Sequence, residues 1–129
     1  MQIISALFID DIALREVAGP ATRIDLTGVQ FSAAAPEPLP LTWAPHLVVI
    51  VRCPPDVPGP GALVVRYLME GEQVARNVQP LLVEPGMFSY RLVRGEIDFT
   101  EYGTVEAHCR IDGGDPVIVP YTLLPPPEE

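Results

Sequence analysis

The sequence predicts an all-β protein: an antiparallel β-sandwich or barrel of seven to nine short strands, with at most one short helical turn. Three observations carry this. Several segments alternate apolar and polar side chains with period 2, the mark of a strand with one buried and one wet face. Clusters of Gly, Pro and Asp separate those segments at short intervals. No segment sustains the 3.6-residue period of a long helix. The sixteen prolines fit this architecture, because they punctuate loops and blunt sheet edges.

The clearest unit is the terminal hairpin, Gly103 to Leu124. On its first arm Gly103, Val105, Ala107, Cys109 and Ile111 share one face, while Thr104, Glu106, His108 and Arg110 share the other. Asp112-Gly113-Gly114-Asp115 supplies residues that tolerate positive φ, so the chain reverses tightly. The second arm is β-branched and apolar, and Pro120 marks it as an edge strand.

From the start, Gln2 to Ile9 is an apolar run bounded by Asp10-Asp11, a strand near a sheet centre. Asp11 to Ala18 reads as one helical turn capped by Asp10 or Asp11 and ended by Gly19-Pro20. Arg23 to Phe31 reads as strand, bulge, strand, with Gly28 at the bulge. Ser32 to Pro45 is proline-rich loop. Trp43 within it is expected to cap one end of the core, with an exposed partner anchor as the alternative.

His46 to Cys53 is a strong strand, and Pro54 to Gly61 a turn-rich connection. Ala62 to Glu70 and Glu72 to Val78 form a hairpin through Gly71. Gln79 to Val83 extends to a turn at Glu84-Pro85-Gly86. Met87 to Val93 alternates Met87, Ser89, Arg91 and Val93 against Phe88, Tyr90 and Leu92. The chain reverses at Arg94-Gly95-Glu96, and Ile97 to Phe99 is a short strand or loop. Residues 1–124 are thus expected to form a single domain, and 125–129 a flexible acidic tail.

Three stretches resemble a family of short, uncharacterised bacterial proteins known as a domain of unknown function. They are Phe8-Ile9-Asp10-Asp11-Ile12 with Arg15-Glu16, then Asp25-Leu26-Thr27-Gly28-Val29, then Gly103-Thr104-Val105-Glu106 leading to Ile111-Asp112-Gly113. Two departures stand out. Gly19-Pro20-Ala21-Thr22-Arg23 replaces the family's Gly-Gly-Lys, and Val105 replaces its aromatic, although Tyr102 lies close by. The resemblance implies an immunoglobulin-like β-sandwich in a bacterial cytosol and carries no activity with it.

The chain has 129 residues and a formal net charge of -9, from 8 Lys+Arg against 17 Asp+Glu, and every basic side chain is arginine. An acidic protein without a basic stripe is not expected to bind nucleic acid or an anionic membrane surface. The opening MQIISALFIDD lacks the positive region of a secretory signal, and no apolar run is long enough to span a membrane. A cytoplasmic location follows as the expectation. Cys53 and Cys109 are expected to be free thiols in that compartment, with a disulfide as the alternative. Trp43 precedes Cys53, so the Cys-Trp-Cys order of immunoglobulin domains is not met.

Candidate chemistry is sparse. His108 and Cys109 are adjacent, so on a strand they point to opposite faces and cannot share one site. Asp10-Asp11 is an acid–base or cation pair in one reading and a turn cap in the better one. Asp112 to Asp115 lacks the further acidic ligands of a calcium loop. Glu96, Asp98 and Glu101 beside Phe99 and Tyr102 read as solvated loop or as a surface for an arginine-bearing partner.

No catalytic constellation, metal site or cofactor is expected. The leading expectation is a non-catalytic interaction module for another protein or for a second copy of itself. Its candidate surface is Trp43, Tyr102, Glu106, His108 and Arg110. The alternatives are a small metal-dependent or hydrolytic enzyme using Asp10, Asp11 or His108, and a small-ligand binder with a pocket near Trp43 and Tyr102.

Overall fold

A computed structural model describes residues 1–19 and 23–127. Within them the chain is all-β and the sheets pack on one another, as the alternation predicts. The strands are β1 (Gln2–Arg15), β2 (Arg23–Gln30), β3 (Ser32–Ala34), β4 (Leu41–Trp43), β5 (His46–Arg52) and β6 (Pro60–Met69). They continue with β7 (Glu72–Leu82), β8 (Phe88–Arg94), β9 (Ile97–Phe99), β10 (Gly103–Ile111) and β11 (Val117–Leu124). The expected seven to nine strands become eleven among the described residues, because β3, β4 and β9 are three-residue pieces.

A four-stranded sheet has the order β2-β1-β5-β8, and a five-stranded sheet the order β3-β11-β10-β6-β7. The small pair β4-β9 is a third sheet, and its Leu41, Ile97 and Phe99 join the same core. Between the two large sheets lies one core. Phe8, Leu47, Val49, Val51 and Val93 enter it from the first sheet, and Leu63, Val65, Tyr67, Val105, Ala107, Cys109, Tyr121 and Leu123 from the second. Ring packing across this core joins Phe8 to Tyr121, with centroids 4.9 Å apart at 61°.

The terminal hairpin has the predicted register, with Cys109 opposite Val117 and His108 opposite Ile118. Cys109 faces the core and is fully buried, while His108 faces outward. Asp112 takes φ 52 at the turn, and Gly114 N–H donates to the Ile111 carbonyl at 3.0 Å. β11 is an edge only in its first half, since β3 pairs in parallel with Thr122 to Leu124. Both cysteines are free.

Three sequence expectations are corrected. The helical turn from Asp11 is strand: β1 runs on to Arg15 because β2 supplies a partner as far as the Arg15–Arg23 pair. A continuous backbone ladder outweighs a single, unpropagated helical turn. Gly28 makes no bulge, since the register is the same on either side of it. It takes φ 65, and a Cβ there would collide with the Asp10 side chain. The true register shifts fall between Ile3 and Ser5 and between Tyr67 and Leu68. The stretch from Ser32 is not all loop, because β3 and β4 find partners in β11 and β9. The expected stop at Gly19-Pro20 and the acidic end of the tail include residues 20–22 and 128–129, which lie outside the described residues.

Two tight features fix the β6–β7 hairpin and its surroundings. Glu70 and Gly71 both have positive φ, 51° and 81°, which is the two-residue type I′ turn that matches strand twist. Pro80 is tolerated in β7 because that strand is a sheet edge. Beyond β8, Gly95 is buried against the Tyr67 ring, and any Cβ at that position would overlap it. Gly95→Ala is therefore expected to lower stability by about 1–3 kcal/mol through overpacking. A fall in the urea midpoint with an unchanged slope would show it, and an unchanged midpoint would refute it.

Candidate functional site

Outward-facing positions of the four-stranded sheet follow from its register. Ser5, Ile50 and Tyr90 form one row, Leu7, Val48 and Leu92 the next, and Val29, Ile9, His46 and Arg94 a third. An ordinary half-exposed sheet would carry polar residues here. Instead the centre is aliphatic. Val48 is 0% exposed and Ile9 2%, yet neither belongs to the core between the sheets. Around them Leu92 is 39% exposed and Val29 41%. At the rim Phe88 is exposed and lies under the Arg52 guanidinium, 5.8 Å from the ring centroid.

β8 forms the free edge beside this face. Its Arg91 points inward with Val49, and its guanidinium donates to the Tyr90 carbonyl at 2.9 Å and the Pro80 carbonyl at 3.5 Å. That arginine ties the edges of the two large sheets together. On the opposite flank Asp11 faces outward beside Thr27, and its carboxylate accepts from the Ile12 N–H at 2.8 Å. Asp10 faces the other way, so the two aspartates form no pair.

Asp10 instead ends a polar chain at one end of the sandwich. The Trp43 indole N–H donates to the Tyr121 hydroxyl at 3.3 Å, and Tyr121 donates to Gln30 Oε1 at 2.8 Å. Gln30 Nε2 in turn donates to Asp10. Burial raises the Tyr121 pKa, the Trp43 bond works against that, and the Asp10 charge adds to it. Trp43 packs half-buried against the core, the capping position expected of it.

The five-stranded sheet presents Glu106, His108 and Arg110 on its outer face. His108 Nε2 lies 3.3 Å from Glu106 Oε1. Arg66 and Arg76 are directly opposite one another in the β6–β7 ladder, and His108 is directly opposite Arg66. These side chains, Arg110, Val64 and Asp112 line a depression of about 250 Å³. Tyr102 lines a separate cleft of about 190 Å³ with Met69, Glu70, Glu72, Asp98 and Glu101. Trp43 lines neither, so the structure brings Glu106, His108 and Arg110 together and leaves Trp43 and Tyr102 apart from them.

Sequence reasoning missed the arginine row and the apolar outer face. Both arise from strand register, and the first involves residues far apart in the chain. Cys109 is fully buried, and burial pushes its thiol up to about 12. Among the described residues no three His, Cys, Asp or Glu side chains group as metal ligands, and no helix is long and apolar enough to cross a membrane.

These features define the class: an all-β protein of two packed sheets with an apolar outer surface on one of them. No model of a known protein family matches the chain, and no curated protein shows significant similarity to it.

Proposed function

We propose that this chain is a non-catalytic interaction module with an immunoglobulin-like arrangement, and that its partner is a second copy of itself docked on the four-stranded sheet. The immunoglobulin-like reading is supported by strand order. β1-β5-β8 faces β11-β10-β6-β7, and β2 is added outside β1. The sequence resemblance to the uncharacterised bacterial sandwich family belongs to the same proposal. A cytoplasmic, reducing location is supported by the two buried free cysteines.

The apolar outer face, centred on the Leu7–Val48–Leu92 row, is the observation that carries the self-docking reading. Such faces on soluble proteins mark interaction surfaces. Charge selects the second copy. Asp11 and Arg94 flank the same end of the apolar rows, on the β1–β2 side and the β8 side respectively. A two-fold axis parallel to the strands lays Asp11 of each copy against Arg94 of the other, a closed and self-complementary arrangement.

Sedimentation across micromolar concentrations tests this. The expected result is a reversible dimer that Leu92→Asp weakens roughly 100-fold, because a carboxylate would be buried in the apolar centre. The far-ultraviolet spectrum of the variant should stay near that of the parent. A parent chain that remains strictly monomeric throughout would sink the self-association reading.

A further inference from the structure

We propose that the outer face of the five-stranded sheet holds a binding site for a small, multiply charged oxyanion of the phosphate or pyrophosphate class. Arg66, Arg76 and Arg110 would grip it, with His108 beside them. Three of the eight basic residues of an acidic protein meet in one depression of about 250 Å³. Like charges directly opposite on a sheet are destabilising, and Arg66 and Arg76 are such a pair. An oxyanion bound between them would offset that repulsion.

The lining supplies only Asp112, one carboxylate against three guanidinium groups. Among the described residues, none of these three arginines forms an ion pair with a carboxylate. Arg66 uses its Nε–H on Gln73 Oε1 at 2.8 Å, which leaves its two terminal amino groups unpartnered among the described residues. Two carboxylates beside the row already have partners. Glu106 lies against His108, and Asp112 accepts the Ala62 N–H at 3.0 Å. Asp112 still contributes one negative charge to the lining, so positive charge remains in excess.

Guanidinium groups select the ligand class. Their planar forks bond tetrahedral oxyanions in pairs, and neighbouring forks can hold different oxygens of one phosphoryl group. A pyrophosphate reaches more of the row than a single phosphate does. The site is independent of the dimer surface, because it lies on the outer face of the other sheet. Leu92→Asp should therefore leave oxyanion binding intact, and each proposal can fail alone.

Calorimetric titration with inorganic pyrophosphate at low ionic strength is the test, with chloride at matched ionic strength as control. The expected result is saturable 1:1 binding that tightens as salt falls. Arg66→Gln, Arg76→Gln and Arg110→Gln should each weaken it about tenfold or more. Arg66→Lys should fall between parent and Arg66→Gln, because it keeps the charge and loses the fork. Arg23→Gln, on the other sheet, should have no effect. The unliganded Arg76→Gln protein should melt no lower than the parent, since it relieves a repulsion. Absence of saturable binding, or equal weakening by Arg23→Gln, would overturn the site. If pyrophosphate does not bind but an acidic peptide does, the depression is a protein contact and the oxyanion assignment is wrong.

Discussion

Replacing Phe8 by alanine is expected to cost about 3–5 kcal/mol of stability, a large share of what an ordinary domain possesses. Phe8 is 1% exposed on β1, which has neighbours on both sides. Its inward row is Phe8–Leu47–Val93, so it stands at the middle of the four-stranded sheet's contribution to the core. Truncation removes the apolar contacts of the ring and leaves a cavity that two paired flanking strands cannot close. It also removes the edge-to-face partner of Tyr121, whose hydroxyl links Trp43 to Gln30. Urea unfolding followed by fluorescence of Trp43, the only tryptophan, should show a lowered midpoint with an unchanged slope. Phe8→Leu is the control and should cost less than about 1.5 kcal/mol. A loss below about 1 kcal/mol for Phe8→Ala would mean that the core closes around the gap, and that the sheets are held elsewhere.

The terminal hairpin was legible from sequence because three signals agree there. Alternation sets the faces, Asp112-Gly113-Gly114-Asp115 sets the reversal, and the faces differ sharply in polarity. β8 shows where such reasoning stops. Its alternation is equally clean, but its more apolar set, Phe88, Tyr90 and Leu92, faces outward while Arg91 faces in. Period 2 defines two faces without saying which one is buried. That choice was made by pairing with β5, whose two faces are both aliphatic, Leu47, Val49 and Val51 on one side and Val48 and Ile50 on the other. A strand apolar on both faces carries no orientation signal. Asp11 to Arg15 failed differently. A capping aspartate before Ile12, Ala13 and Leu14 resembles a helix start, and only the partner strand β2, beyond the loop, decides against it. The arginine row was invisible for the same reason, since register alone brings residues 66, 76 and 110 together. The Thr104, Glu106, His108 and Arg110 face, by contrast, needed only the local period.

Stability should fall steeply between about pH 9 and pH 12. Burial raises the Cys109 thiol from 9.0 to about 12 in the folded protein. Tyr67 is raised too, first by burial and then by the neighbouring Cys109, with the Gly95 backbone working against the rise. Tyr121 is raised mainly by burial. These are acids that stay neutral in the fold and ionise at ordinary pH values in the unfolded chain. Between the two values the folded state therefore binds more protons, and stability declines as pH rises. Their contribution is complete below about pH 9 and is lost as pH climbs towards the folded values. Cys109 contributes to this fall between its ordinary value and about 12. Both tyrosines act in the same direction. Urea midpoints measured at pH 8, 9, 10 and 11 under reducing conditions should fall progressively. Cys109→Ala should start lower, having lost some packing, and then fall less with pH. Tyr67→Phe should also flatten the curve, at little cost in packing. A parent midpoint that does not change from pH 8 to pH 11, or an equally steep fall in Cys109→Ala, would show that water reaches these groups and that the space between the sheets is not dry. Only a closed apolar layer between the sheets can hold a thiol and a phenol neutral so far above their ordinary range.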